Sequence, residues 1–159
     1  MWSMNEGSGY FYEIAPSRGR RGERVNPTSG AASEKTVQAT VLIVEDEAAT
    51  RELLKTTIKG AAVPCRVFEA ITSDQALEMA KQVKPDLVLL DIVLPGSETS
   101  GVLLCQELCK DHRTKVVIVS GQGEETIIKA CLSAGATDRI RKPFSVLELR
   151  LAIDGWLSS

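Results

Sequence analysis

The chain has 159 residues, of which 25% are charged and 43% hydrophobic, and its formal net charge is −2; these values fit one globular domain and exclude a strongly basic nucleic-acid binder or an acidic disordered chain. Four cysteines without a CxxC pair and one histidine, His112, argue against a zinc site, a multi-histidine metal centre and a Ser-His-Asp or Cys-His triad. The sequence has no apolar run long enough to span a membrane and no secretory signal, so we expect a cytoplasmic protein without membrane contact.

The chain divides into two parts of different composition. Residues 1–39 are rich in glycine, serine and arginine and show no sustained hydrophobic period, which predicts a disordered N-terminal extension or linker. Residues 40–159 carry regular apolar patterns and are predicted to form the single folded domain.

The first predicted elements are a strand at 41–44 and a helix at about 48–59. The strand is a continuous run of apolar, mostly β-branched residues, which is typical of a parallel strand buried on both faces. The helix is expected to turn one apolar side toward the core. The residues on that side are Leu53, Leu54 and Ile58.

A second strand at 65–70 leads into a helix that we expect Ser73 to cap and that runs to about residue 83. The third strand, at 86–91, is the most apolar of all. The remaining predicted elements are helices at about 102–110, 124–134 and 145–157 and strands at 116–119 and 137–141.

Strict alternation of strands and helices predicts an α/β fold with right-handed crossovers. The expected architecture is a flavodoxin-like, doubly wound, five-stranded parallel sheet of order 2-1-3-4-5, with helices on both faces. In such a sheet, ligands bind beyond the carboxyl ends of the central strands, where the strand order reverses.

Polar side chains follow four of the predicted strands: Glu45 and Asp46, Asp91, Ser120, and Lys142. Clustered carboxylates repel one another, and a divalent cation relieves that conflict. Oxygen ligands without histidine or cysteine favour Mg²⁺. A lysine and a hydroxyl beside the metal suit an anion, so the set fits phosphoryl transfer onto a central carboxylate, with Asp91 as the candidate.

Each of these residues, considered alone, also has a simple structural explanation. An acidic residue after a strand often caps the next helix, and a Lys-Pro pair often marks a turn. The combination at four strand ends is what favours a functional site.

Four segments carry a family resemblance, at 41–47, 85–95, 116–121 and 135–144. Together they resemble the receiver domain of bacterial response regulators, a CheY-like domain of two-component signalling, over residues 41–157. The resemblance implies that Asp91 takes a phosphoryl group from a phosphohistidine on a histidine kinase or phosphotransfer protein. It also implies that Lys142 pairs with the phosphoryl oxygens, that Ser120 hydrogen-bonds the phosphoryl group, and that the Lys142-Pro143 bond is cis.

The resemblance further implies how Mg²⁺ is held. Asp46 and Asp91 would bind it directly, Glu45 would help through water, and the backbone carbonyl of Val93 would complete the protein ligands. The domain would then be a signalling switch that catalyses its own phosphorylation and slow dephosphorylation.

The same resemblance sets expectations about partners. A downstream output protein or domain would read the switch, and direct nucleic-acid binding by this chain is not expected. The helix at 124–134, the strand at 137–141 and the last helix form the family's usual interaction surface, so the resemblance allows a homodimer through this face and leaves the oligomeric state open. A stand-alone receiver and a piece of a longer regulator or hybrid kinase both remain open.

Three departures from the family pattern affect these expectations. Arg139 stands where the family usually has Tyr or Phe, so it takes another role or projects into a partner interface. The loop after Pro95 is two residues longer than usual. Val93 and Gln122 occupy positions that tune hydrolysis, and because an apolar Val93 cannot orient water, a long-lived phosphoryl group is expected.

Two other functions compete with a phosphorylated receiver. A pseudo-receiver would bind partners without phosphorylation, and Arg139 and the altered loop favour it, whereas the retained Asp91 and Lys142 do not. A haloacid-dehalogenase-like phosphatase would need a second aspartate two residues after the nucleophile, where this chain has Val93. Cys105 and Cys109, four residues apart on one helix face, are predicted to pack in the core.

Overall fold

The computed structural model describes residues 11–12, 37–95 and 100–159 of the chain. Strands and helices alternate from residue 39 onward, as the sequence predicts. The strands are β1 (Phe11–Tyr12), β2 (Ala39–Val44), β3 (Cys65–Ala70), β4 (Leu87–Asp91), β5 (Lys115–Ser120) and β6 (Asp138–Arg141). The helices are α1 (Ala48–Lys59), α2 (Ser73–Val83), α3 (Gly101–Leu108), α4 (Glu125–Ser133) and α5 (Val146–Ser158).

The described strands form one sheet in the order β1-β3-β2-β4-β5-β6. The five strands from β2 to β6 are parallel, and counted among themselves they follow the predicted order 2-1-3-4-5. The order reverses beside β2, where β3 lies on one side and β4 on the other. The carboxyl ends of the central strands therefore border a crevice at a topological switch point, as expected.

One strand was not predicted. β1 pairs antiparallel with β3 at the edge of the sheet, with Phe11 opposite Phe68 and Tyr12 opposite Val67. Three residues of the expected disordered extension therefore belong to the sheet: Phe11 and Tyr12 in β1, and Ala39 at the start of β2. The rest of that extension that falls at 1–10 and 13–36 lies outside the described residues, as does the loop segment 96–99.

The core consists of two apolar clusters, one on each face of the sheet. Successive strand residues point to opposite faces, so Leu42 and Val44 join one cluster while Val41 and Ile43 join the other. Helices α2, α3 and α4 cover the first face, and α1 and α5 cover the second. All four of these β2 side chains are completely buried, which explains the continuous apolar run in the sequence.

Two details of the helices differ from prediction. Leu54 and Ile58 are buried, but Leu53 is 40% exposed, because one residue rotates the side chain by 100° around the helix and carries it off the inner face. Thr72 rather than Ser73 caps α2: its backbone is extended and its side chain accepts a hydrogen bond from the Gln75 N–H at 3.2 Å. Within the described residues, no helix is both long and apolar enough to cross a bilayer.

Candidate functional site

The polar residues predicted from the strand ends all lie at the carboxyl edge of the sheet. Glu45 and Asp46 directly follow β2, Asp91 ends β4, and Ser120 ends β5. Lys142 directly follows β6. Parallel strands place all these positions at one edge, so residues up to 97 positions apart meet there.

Lys142 connects the two most buried carboxylates of the site. Its ammonium donates to Glu45 Oε2 at 2.7 Å and to Asp91 Oδ2 at 2.8 Å. Only 1% of the Glu45 side chain and 9% of the Asp91 side chain are exposed, against 26% for Lys142. Because these contacts are charge-assisted and partly shielded from water, Lys142 holds the carboxylates together against their mutual repulsion.

Burial and ion pairing compete at these groups. Burial is the largest effect on Glu45 and raises its pKa above the usual value, although the Lys142 ammonium and the Glu47 N–H oppose it. Burial alone would lower the pKa of Lys142, but its hydrogen bonds to Asp91 and Glu45 outweigh burial and raise that pKa. Lys142 therefore stays a cation at neutral pH.

The site offers a cluster of oxygen ligands. Glu45, Asp46 and Asp91 each present one carboxylate oxygen, and these atoms lie within 4.8 Å of one another. Asp46 is exposed while the other two are buried. An all-oxygen set with two carboxylates sheltered and one open to solvent suits a hard divalent cation that keeps part of its hydration shell, such as Mg²⁺. The residues present thus fit the ion expected from the sequence.

The loop after β4 is hydrogen-bonded to the Asp91 side chain. The Val93 N–H donates to Asp91 Oδ1 at 2.8 Å, so both carboxylate oxygens of Asp91 have a hydrogen-bond partner. The Val93 side chain is 45% exposed. The expected role of the Val93 carbonyl as a metal ligand remains a prediction.

Ser120 and Lys142 are joined through the backbone. The Lys142 N–H donates to the Ser120 carbonyl at 2.7 Å, and Ser120 is 2% exposed. The Lys142-Pro143 peptide bond is cis, as expected. The two residues expected to contact a phosphoryl group therefore lie at the carboxyl ends of the neighbouring strands β5 and β6. β5 pairs with β4, where Val119 is the register partner of Asp91.

This constellation on a sheet of order 2-1-3-4-5 agrees with a comparison against known families. The family described as "Response regulator receiver domain" matches residues 41–154. The chain belongs to the response-regulator receiver family.

Similar proteins support the same assignment. The KDP operon transcriptional regulatory protein KdpE of Escherichia coli is 41% identical over 110 residues, which cover 69% of this chain and 47% of KdpE. The phosphate regulon transcriptional regulatory protein PhoB of Pseudomonas aeruginosa is 40% identical over 116 residues, 71% of this chain and 49% of PhoB. This receiver chain therefore spans about half the length of the curated relatives it matches.

Solved structures agree in fold. The crystal structure of the receiver domain of NtrX from Brucella abortus superimposes with a TM-score of 0.67 at 33% identity. The match covers 75% of this chain and 98% of the NtrX domain. The flavodoxin-like architecture expected from the sequence is confirmed.

Arg139 of this receiver domain has a definite partner. Its guanidinium contacts Glu125 at 2.9 Å, and Arg141 contacts the other oxygen of Glu125 at 2.8 Å. These ion pairs join β6 to the first turn of α4 and lie on the exposed surface. Arg139 therefore takes a role that the usual aromatic residue lacks, that of an ionic contact between α4 and β6.

Two residues near the acidic pair, Arg51 and Glu69, were not predicted from the sequence. Arg51 donates to the backbone carbonyls of Glu45 and Asp46 and to the Glu69 carboxylate. The one available signal is a cation five and six residues after two acidic residues, which is equally typical of a solvated helix face. Glu69 gives no signal of its own, because its approach depends on strand pairing.

The cysteines pack as predicted. Cys105 and Cys109 are buried, with sulfur atoms 3.9 Å apart, and Cys131 is buried against them from α4. Hydrogen bonding with Cys131 and burial raise the pKa of the Cys105 thiol. A protonated, enclosed thiol is a packing group.

Proposed function

We propose that this receiver domain accepts a phosphoryl group on Asp91, in a Mg²⁺-dependent reaction, from a phosphohistidine on a histidine kinase or phosphotransfer protein. One observation carries the proposal: the Lys142 ammonium lies 2.8 Å from Asp91 and 2.7 Å from Glu45, next to the cluster that Asp46 completes. A nucleophilic carboxylate, a fixed cation and a hard-metal ligand set are the parts that phosphoryl transfer requires.

The transfer is a nucleophilic substitution at phosphorus. An Asp91 carboxylate oxygen attacks, the O–P bond forms, and the N–P bond to the donor imidazole breaks. The imidazole nitrogen leaves with the bonding electron pair. Lys142, kept protonated by its carboxylate partners, then moves its contact from Asp91 to the phosphoryl oxygens. When bound, Mg²⁺ supplies positive charge that offsets the carboxylates and the incoming phosphoryl oxygens.

The remaining site residues support the same reaction. Ser120, at the end of β5, would donate its hydroxyl hydrogen to a phosphoryl oxygen. The Val93 carbonyl would join Glu45, Asp46 and Asp91 as a metal ligand. Because Val93 is apolar and 45% exposed, it cannot orient an attacking water, so we expect slow autodephosphorylation with Gln122 as the nearby polar side chain.

Phosphorylation would act by changing which partners bind. We propose that the output protein or domain, or a second copy in a homodimer, docks on the surface made by α4, β6 and α5. Arg139 lies on this surface, 41% exposed. We propose a cytoplasmic location and no direct contact of this chain with nucleic acid.

Phosphorylation is tested by incubating the protein with Mg²⁺ and acetyl phosphate, followed by mass spectrometry of the intact protein. NMR spectra with Mg²⁺ and beryllofluoride report the site directly. We expect the mass of one phosphoryl group to be gained and amide shifts to change around Asp91, Ser120 and Lys142. Both effects should vanish in Asp91→Ala.

Asp111→Asn serves as the matched control. Asp111 lies between α3 and β5, at the opposite edge of the sheet, and pairs with Arg113. It should be phosphorylated like the wild type. A wild-type protein that gains no phosphoryl group and shows no Mg²⁺-dependent shift would contradict the proposal and indicate a pseudo-receiver.

A further inference from the structure

Arg51 holds the backbone that carries two of the three clustered carboxylates. One nitrogen of its guanidinium, Nη1, donates to the carbonyl of Glu45 at 3.0 Å and to the carbonyl of Asp46 at 3.2 Å. These carbonyls belong to consecutive, planar peptide units. Holding both of them restricts the directions in which the Glu45 and Asp46 side chains leave the chain.

The guanidinium is itself anchored. Its Nε donates to Glu69 Oε2 at 2.9 Å, and the other Glu69 oxygen lies 2.9 Å from the Lys55 ammonium. Glu69 is on β3, where it is the register partner of Ile43 on β2. The side chains of Arg51 and Glu69 are only 18% and 11% exposed. The planar guanidinium thus connects β3, α1 and the loop between β2 and α1 in a fixed geometry.

The acidic pair needs such a restraint. Three carboxylate oxygens within 4.8 Å repel one another. Lys142 opposes this repulsion at the side chains of Glu45 and Asp91, whereas the exposed side chain of Asp46 has no hydrogen-bond partner among the described residues. Arg51 acts on the backbone of Glu45 and Asp46 instead, so the two restraints are independent.

We propose that Arg51 is a positioning residue of the metal site, with Glu69 as its anchor: it preorganises the Glu45–Asp46 loop so that a divalent cation meets carboxylates already in place. The inference rests on the proposed Mg²⁺ site. A preorganised ligand set binds more tightly because less ordering remains to be done on binding.

Positioning and simple electrostatics predict opposite signs for the loss of Arg51. A positive charge near a cation site weakens cation binding, so removing it would strengthen Mg²⁺ binding if charge were the only effect. Loss of preorganisation weakens Mg²⁺ binding. The direction of the change in Kd therefore separates the two explanations.

The experiment is a Mg²⁺ titration of the full chain, followed by NMR or calorimetry, without a phosphoryl donor. For Arg51→Gln we expect the Kd for Mg²⁺ to rise about tenfold, the scale typical of residues that orient metal ligands. Arg51→Lys keeps the charge but lacks the planar fork, and should not restore affinity. Glu69→Gln should give a smaller rise, because Arg51 remains but loses its charged anchor.

Lys55→Gln is the matched control. It removes a cation from the same Glu69 carboxylate, yet the hydrogen bonds to the Glu45 and Asp46 carbonyls come from Arg51. Its Kd should stay within about twofold of the wild type or fall slightly. A second readout needs no metal: the Glu47 amide, which donates to Glu45 Oε1 at 3.0 Å, should exchange with solvent faster in Arg51→Gln than in Lys55→Gln.

The outcomes distinguish failure of the proposed Mg²⁺ site from failure of the positioning role of Arg51. A wild-type protein that binds no Mg²⁺, or binds it equally well in Asp91→Asn, overturns the proposed site. Wild-type binding that is unchanged or tighter in Arg51→Gln overturns the positioning role alone. If Arg51→Gln fails to unfold cooperatively, Arg51→Lys decides, because it keeps the positive charge, and wild-type affinity in that variant would overturn the inference.

Discussion

At the scale of single residues, Lys142 supplies the positive charge that stabilises the acidic site when no metal is bound. It is the cation placed between Glu45 and Asp91, both buried. Removing one partner of such a set leaves the others uncompensated, which costs more than the ion pair itself contributes. The residue that we propose to serve phosphoryl transfer is therefore also expected to stabilise the resting fold.

Lys142→Gln should lower the free energy of unfolding by about 1–3 kcal/mol in the absence of Mg²⁺, since two carboxylates then repel each other in a sheltered site. Mg²⁺ should recover part of this loss, because it replaces the missing positive charge. Urea unfolding with and without Mg²⁺ measures both effects. The control is Lys110→Gln, which removes an exposed pair with Glu107 and should change little; equal losses in both variants would contradict the prediction.

Cys65 offers a second test at the residue scale. Burial, with smaller contributions from Asp154 and Asp86, raises the pKa of its thiol to about 11, and its sulfur donates to the Val63 carbonyl at 3.1 Å. The thiolate is the reactive form. At pH 8 the folded protein should be alkylated at Cys65 at least about tenfold more slowly than the urea-unfolded chain, after allowing for the higher intrinsic nucleophilicity of a more basic thiolate.

The pH dependence of Cys65 has a definite sign. The folded state favours the neutral thiol, so this contribution to stability is complete below the ordinary thiol pKa and is lost as pH rises toward 11. The alkylation rate of the folded protein should therefore keep rising up to about pH 11, as read by peptide mass spectrometry. A rate that levels off near pH 9 would show that the thiol is unperturbed.

At the scale of elements, two glycines in helices have opposite roles. Gly101 begins α3, and a Cβ built there would overlap the backbone carbonyl of Ile92, which lies in the loop that follows Asp91. Gly155 lies inside α5, and a Cβ there would meet nothing within 4 Å. Close approach requires the first glycine, whereas the second only lowers helix propensity.

Substitution of each glycine by alanine should therefore change stability in opposite directions. Gly101→Ala should destabilise the protein by about 1–3 kcal/mol, because the backbone carbonyl of Ile92 must move. Gly155→Ala should stabilise it by about 0.5–1 kcal/mol. Thermal unfolding of the two variants side by side checks this, and a stabilising Gly101→Ala would show that α3 does not approach the site loop so closely.

At the scale of the whole molecule, the folded unit is defined by its two core clusters. Their fully buried members lie between Val41 and Ile153, and β1 adds only two residues at the outer edge of β3. The sheet should thus not depend on the first 36 residues for its stability, although β1 shields part of an exposed edge.

A chain shortened to residues 37–159 should unfold in one cooperative transition with a midpoint within a few degrees of the full chain. Hydrogen exchange should rise only at the β3 amides that face β1. A broad or strongly lowered transition would contradict this and make the extension part of the fold.

Much of the architecture could be predicted from local patterns. A strand buried on both faces reads as an unbroken apolar run, and a helix with one inner face reads as a 3.6-residue period. Alternation of the two predicts a parallel sheet, and the rule for strand ends then brings Asp91, Ser120 and Lys142 to one edge. Asp46 and Glu45 follow from the same rule.

Local patterns are less informative where neighbouring residues compete for one role. Ser73 and Thr72 are both good helix caps, and only the backbone conformation shows that Thr72 is the cap. Leu53 and Leu54 are equally apolar, and the rotation of α1 against the sheet decides that Leu54 is inside.

The sequence by itself determined the class of fold, the strand order and the residue types at the carboxyl edge. The reason is that the hydrophobic period of each element, and the alternation of strands with helices that makes the strands parallel, can be recognised in short segments of the chain. Only the tertiary structure decided which of those residues touch. Three sets of contacts join residues distant in sequence: the bonds from Lys142 to Glu45 and Asp91, the bond from Arg51 to Glu69, and the pairing of β1 with β3. Such contacts depend on register and packing, which have no local signature.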